Sequence, residues 1–320
     1  MTSPGLLRFV PLYHPRIWGG RRLQQCLGRV LPDEQPYGES WEMVDREKEQ
    51  SVVAGGPLAG ISLHDLWTNH RAPVFGPAYA SHPSPRFPLL IKVLDCVDDL
   101  SIQVHPPAEI AAALNGEPKT EFWFVARADP GSRLYVGVKD GISKEDFEKA
   151  LGDGTVADCI HSAEPHVGDS LFVHSGRLHA LGKGLLIYEI QQNSDTTYRV
   201  FDWNRAGLDG RPRQLHVEES MQCIDFDDVE PSLLRAGERA RLADCDYFVI
   251  TRRHSNDGIQ MKNDRFRLIM AVSETEWAGE KVSPGELVLM PANEVASEPA
   301  GEWLEIELPQ ALNPAAGRAR

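Results

Sequence analysis

In Leu100-Ser101-Ile102-Gln103-Val104-His105 apolar and polar residues alternate without a break. A β-strand turns successive side chains to opposite faces, so Leu100, Ile102 and Val104 share one side and Ser101, Gln103 and His105 the other. A strand with one solvated face shows the same alternation. A glutamine and a histidine on one face also suit the lumen of a barrel that holds a metal ion. The next acidic residue to enter a strand is Glu121, in Lys119-Thr120-Glu121-Phe122-Trp123-Phe124, with Glu121, Trp123 and Val125 on a common face.

Around this stretch the chain is rich in short runs of Val, Ile, Phe and Tyr bounded by Gly, Pro and Asp. Strands are predicted at Phe87–Leu94, Leu100–His105, Phe122–Ala126, Arg133–Val138, Ser170–Val173, Leu185–Gln192, Tyr247–Arg252, Arg267–Val272, Glu286–Met290 and Trp303–Leu308. This spacing favours an antiparallel sandwich or barrel over alternating βα units. Short helices are expected at Ser62–His70, Pro107–Asn115 and Ser143–Leu151, the last capped by Ser143 with Asp146. Pro77–Arg86 reads as a surface loop and Pro309–Arg320 as a frayed tail. The run Pro165–Gly176 has a faint echo in Ser283–Asn293: a Gly-acid pair, an apolar strand, then a turn.

The whole-chain properties exclude several classes of function. With 320 residues the chain can bury a large core and form two domains or one elaborated one. A formal net charge of −14 argues against a nucleic-acid or anionic-membrane surface. No apolar run approaches the length of a membrane span, and residues 1–13 lack the pattern of a secretory signal. The five cysteines are scattered without a CxxC pair, so they read as buried or inert thiols of a cytoplasmic protein.

Gly168, five residues, His174, Ser175, Gly176, two residues and His179 resemble the second motif of the cupins, with His174 in the usual proline position. The first cupin motif is matched by Gln103-x-His105 and, after the helical insertion at Pro107–Asn115, Glu121. Two imidazoles, a carboxylate and an amide oxygen suit Zn²⁺ or a similar divalent ion with positions left for substrate oxygens. Longer strings then resemble type I mannose-6-phosphate isomerases: Ser101-Ile102-Gln103-Val104-His105-Pro106, Lys119-Thr120-Glu121, Gly176-x-x-His179-Ala180 and Gln191 to Val200. Arg16 to Gly20, Gly38 to Glu42 and Pro88 to Lys92 extend the likeness, which runs in order over about residues 9–225.

The resemblance implies an all-β cupin jelly-roll barrel with a helical insertion and one zinc ion per chain on Gln103, His105, Glu121 and His179. It implies that Arg199 is catalytic and that Trp18, Lys92, Ser101, Lys119, Glu189 and Asp195 line the substrate pocket. The expected reaction is interconversion of mannose 6-phosphate and fructose 6-phosphate through an enediol(ate), by a monomer or homodimer. Residues 1–225 are expected to form the metal-binding domain, and 226–320 a reduced cupin-like domain without metal ligands. There Asn293 stands for the turn glycine and Ala296 for the metal histidine. Glu189 lies on the face of Ile187 and Gln191, where desolvation would let it act as a base, and Lys119 is the other candidate. Arg199 keeps its proton and suits charge stabilisation or phosphate binding, with Lys92 and Ser101 as further phosphate contacts. The other histidines, among them His216, have no coherent spacing and read as surface or packing residues. A different cupin enzyme, an oxygenase or another sugar isomerase, and a non-catalytic sugar-phosphate sensor remain alternatives.

Overall fold

The computed structural model describes residues 5–255, 257, 264–292, 294 and 298–309. Its strands pair antiparallel and form two facing sheets, a third beside them and a small two-stranded sheet, Thr275–Trp277 with Glu280–Val282. One six-stranded sheet has the order Leu12–Gly20, Tyr37–Met43, Leu89–Cys96, Leu185–Gln192, Glu121–Ala128, Ser170–Val173. A five-stranded sheet, in the order Tyr198–Phe201, Ile102–Val104, His179–Leu181, Leu134–Val138, Ile160–Ala163, packs against it. The third is a six-stranded sheet of Leu7–Arg8, Leu287–Met290, Arg267–Ala271, Glu302–Glu307, Val249–His254 and Arg241–Asp244. The fold is all-β and antiparallel, as the strand spacing predicts, and cupin-like, as the resemblance implies.

The first sheet is a wall between two cores, which explains why every residue of Leu89–Cys96 is buried. Alternation decides which core each side chain enters. Leu89, Ile91 and Val93, with Phe122, Phe124, Leu186, Tyr188 and Ile190, join the residues of the third sheet such as Phe248, Leu268 and Leu304. Leu94, Cys96, Trp123, Val125, Leu185 and Ile187 face the other way and meet Leu134, Val136 and Leu181 of the five-stranded sheet. Behind that sheet, Ile102 and Val104 pack under helix Lys144–Asp153 through Phe147 and Ala150. Ser143 and Asp146 form the expected capping box, and Gly154 closes the helix at φ +73.

Several details differ from the sequence reading. Leu100 precedes its strand and packs in the barrel core with Trp123 rather than beside Ile102 and Val104. The Pro107–Asn115 insertion is a single turn, Ala108–Ala111, followed by a 3₁₀ turn, Ala112–Leu114. Within the Pro77–Arg86 loop Tyr79 is buried and its hydroxyl donates to Leu308 O at 2.9 Å. Cys26 is exposed, unlike buried Cys96, Cys159 and Cys223, and all five thiols are free. Strands Leu12–Gly20 and Tyr37–Met43 have no counterpart in the sequence reading, because Pro15, Gly19, Gly20 and Gly38 break their pattern; Leu12–Gly20 is an edge, where a proline is tolerated. Asn293, Ala296 and residues 310–320 lie outside the described residues.

Candidate metal centre and substrate pocket

Cross-strand register builds the site. In the five-stranded sheet Gln103 lies opposite Arg199 on one side and His179 on the other. In the facing wall Glu189 lies between Lys92 and Trp123, and Glu121 lies opposite Gln191. Two polar rows therefore meet at one end of the lumen, whose other end is closed by the apolar residues around Leu94 and Ile187. His105 follows its strand directly, and its carbonyl accepts from Gly176 N at 2.9 Å. Gly176 has φ +91, a conformation that only glycine takes without strain, and its turn returns the chain to His179.

His105, Glu121 and His179 are each fully buried, with ligand atoms within 4.8 Å of one another. His105 Nε2 is 3.2 Å from Glu121 Oε1, and His179 Nε2 is 3.7 Å from Glu121 Oε2. Neither nitrogen of His105 and neither oxygen of Glu121 makes a hydrogen bond of acceptable angle, although Lys119 Nζ is 2.9 Å from Glu121 Oε1. Native interiors pair their buried polar atoms, so a cluster left this way fits an ion. His179 Nδ1 donates to Arg177 O at 2.8 Å, which leaves the Nε2 lone pair facing the cluster. Gln103 Nε2 is 3.3 Å from the same Nε2, and rotating that amide by half a turn sets Oε1 there instead.

The electrostatics agree. Burial, helped by the Lys119 charge, pushes His105 down to about 3, and burial lowers His179 as well. Both rings are neutral and keep their lone pairs. Burial alone would raise Glu121, but opposing interactions, the Lys119 charge foremost, hold the carboxylate below its ordinary range. Two neutral imidazoles and one carboxylate, with an amide oxygen beside them, form a divalent-cation donor set.

Above the cluster lies a pocket of about 680 Å³. Trp18, Lys92, Ser101, Gln103, Lys119, Glu189, Asp195 and Arg199 all line it. In its wall, Lys92 Nζ is 3.1 Å from Glu189 Oε1 and 3.9 Å from Glu39 Oε2, while Trp123 Nε1 donates to Glu189 Oε2 at 2.9 Å. Burial and the nearby Glu121 charge raise the Glu189 carboxyl, with Lys92 and Lys119 pulling the other way. Burial disfavours the Lys92 ammonium, yet Glu189 and Glu39 more than compensate and raise it. Glu39 is held well below its usual range: burial works against its charge, and Lys92 and Arg16 override burial.

The pocket also has residues that the sequence reading did not place there. Arg16, Glu39, Arg213 and His216 line it. His216, half-buried, lines the pocket and also lies beside the Tyr198 ring, with centroids 5.9 Å apart. Arg16 and Glu39 fall in the strings Arg16–Gly20 and Gly38–Glu42, which was the available signal. Arg213 and His216 follow Arg199 across a loop, without local spacing to mark them. Burial lowers Arg199, and the charges of Arg213 and Arg16 lower it further, with Asp202 and Asp195 working the other way.

A buried two-histidine, one-carboxylate centre at the polar end of a cupin-like barrel, below a pocket lined by charged residues of both signs, defines a metal-binding cupin enzyme. The model of "Phosphomannose isomerase type I, catalytic domain" matches residues 6–123. Mannose-6-phosphate isomerase ManA of Bacillus subtilis strain 168 is 34% identical over 305 residues, covering 91% of this chain and 94% of that one. The crystal structure of mannose 6-phosphate isomerase from Bacillus subtilis matches with a TM-score of 0.81 at 26% identity, covering 95% of this chain and all of that one (100%). A mannose 6-phosphate isomerase bound with zinc and yttrium shares the fold, with a TM-score of 0.70 at 17% identity over 95% of this chain and 99% of that one. The chain belongs to the type I mannose-6-phosphate isomerase family, whose members are aldose–ketose isomerases.

Proposed function

We propose that this chain interconverts mannose 6-phosphate and fructose 6-phosphate with one zinc ion on Gln103, His105, Glu121 and His179. The observation that carries this is the orphaned His105–Glu121 cluster at the foot of a pocket rimmed by Arg16, Arg199 and Arg213. The reaction moves a proton between C1 and C2 of the sugar. When bound, the ion supplies a Lewis acid for the oxygens on those carbons. Glu189 is the proton carrier in this scheme, because burial and the Glu121 charge raise its carboxyl above the ordinary range and so favour its taking a proton. Lys92 keeps Glu189 in place rather than serving as a free phosphate ligand. Lys119 and Arg199 face the negative charge that develops on the enediolate. Arg199, Arg213 and Arg16 hold the phosphate, with Ser101 and Asp195 contacting the sugar and Trp18 excluding water.

In the same reading residues 1–225 form the catalytic unit and 226–320 the reduced one, although Leu7–Arg8 lends an edge strand to the third sheet. The protein acts in the cytoplasm as a monomer or homodimer. No helix among the described residues is long and apolar enough to cross a membrane. The test is conversion of mannose 6-phosphate by purified protein before chelation, after it, and after zinc is restored. Activity abolished by chelator and recovered with zinc is expected. No conversion by fully metal-loaded protein sinks the assignment.

A further inference from the structure

We propose that His216 is a substrate-binding residue, donating its Nε2–H to the anionic group of the substrate, and that its Nδ1 positions Arg199. This rests on the sugar-phosphate reading given above. His216 N donates to Arg199 O at 2.8 Å, and Arg199 N donates to His216 Nδ1 at 3.3 Å. The side chain and backbone of one residue thus bracket the peptide unit of the rim arginine.

The second of these bonds fixes the tautomer. A backbone N–H can only donate, so Nδ1 must be the acceptor, and a neutral ring then has its proton on Nε2. Burial, and the Arg199 charge beside it, favour that neutral form. Nε2 has no hydrogen-bond partner among the described residues, and His216 lines the pocket together with Arg199 and Arg213.

An anion is the group such a corner suits. Arg16 is paired with Glu39 and Arg213 with Asp202, whereas the buried Nε of Arg199 has no hydrogen-bond partner. Arg213 is itself tied by Nε to Asp202 Oδ2 at 2.6 Å, which fixes its direction. A neutral imidazole adds a directed donor without adding a further positive charge to the cluster. His216 thus gives orientation where the arginines give attraction.

Two isosteric replacements separate the roles. His216→Asn keeps an acceptor near Nδ1 and removes the donor at Nε2; His216→Gln does the reverse. For His216→Asn, KM for mannose 6-phosphate is expected to rise about tenfold, the loss of one hydrogen bond to a charged group, with a smaller fall in kcat. Inorganic phosphate, titrated by calorimetry, is expected to bind it more weakly by a similar factor. For His216→Gln, the larger loss is expected in kcat, because Arg199 is no longer held. His216→Asn with wild-type KM and wild-type phosphate affinity overturns the donor, and His216→Gln with wild-type kcat overturns the positioning role. If the wild-type protein does not turn over mannose 6-phosphate, the functional reading falls, and the phosphate titration alone still decides whether His216 binds an anion.

Discussion

Glu121 and Phe122 are neighbours in one strand and both fully buried, yet they enter different environments. Phe122 joins the aromatic and aliphatic core beneath the third sheet, and Glu121 faces the lumen with His105, His179 and Lys119. The same division runs across the wall. On the outer face Glu42 and Asp95 each accept a bond from the segment that follows the edge strand: Arg29 Nη2 donates to Glu42 at 3.0 Å, and the backbone N of Arg22, at the start of helix Arg22–Gln25, donates to Asp95 Oδ2 at 2.7 Å. On the lumen face Lys92, Glu189, Glu39 and Glu121 are gathered at one end, and the Glu121 oxygens are left without satisfactory partners. Burying charge is costly, and a site that leaves it unanswered is arranged for something that arrives later. Inward charge here serves chemistry; outward charge serves the joining of sheet and loop.

The most severe test of that contrast is Glu121→Gln. With the carboxylate gone the donor set loses its only negative charge, and turnover is expected to fall by roughly 10³-fold, several kcal/mol of transition-state stabilisation. Metal content by mass spectrometry should fall with it while the far-ultraviolet circular dichroism is kept. Full metal occupancy with normal turnover would remove the lumen carboxylate from the chemistry.

One residue along, Phe122→Ala should do the opposite. Truncating a fully buried phenylalanine costs about 3–5 kcal/mol, read as a lower urea midpoint. Turnover per folded molecule should stay close to wild type. A collapse of kcat in protein that is still folded would show that the outer face is not passive and break the comparison.

The lumen end was legible in the sequence because its signals are local. Gln103 and His105 sit two residues apart in a strand of period two, and Gly176 and His179 share one turn. The wall was half legible. Leu185–Gln192 and Glu121–Ala128 show their alternation, but in Leu89–Cys96 both faces are buried in different cores, and a run of apolar residues does not say which face is which. Tyr37–Met43 was not assigned as a strand, and only the fold shows that Glu39 faces the pocket and Glu42 faces Arg29. His216 and Arg213 were not legible at all. They reach the rim through a loop in which Trp203 and Asn204 both take positive φ, a path that no spacing rule anticipates.

Asp95 sharpens the comparison with the smallest effect. It is fully buried on the outer face, with Oδ1 unpartnered, and burial pushes its carboxyl up to about 6 from its usual 3.8, while Arg22 works the other way. The native state therefore holds the Asp95 proton more tightly than the unfolded chain does. Its contribution to stability is complete below about pH 4 and is lost as the pH rises through about 6. Asp95→Asn keeps an oxygen for Arg22 N and does not titrate. Its unfolding free energy in urea should match wild type near pH 3.5 and exceed it near pH 7.5, by an amount on the order of 2–3 kcal/mol. Both proteins are measured in chelator, so that loss of metal at low pH does not enter. A variant that is less stable than wild type near pH 7.5 would mean that the Arg22–Asp95 attraction outweighs burial. The outer-face charge would then hold the loop to the sheet through its sign, and not only through the hydrogen bond that asparagine preserves.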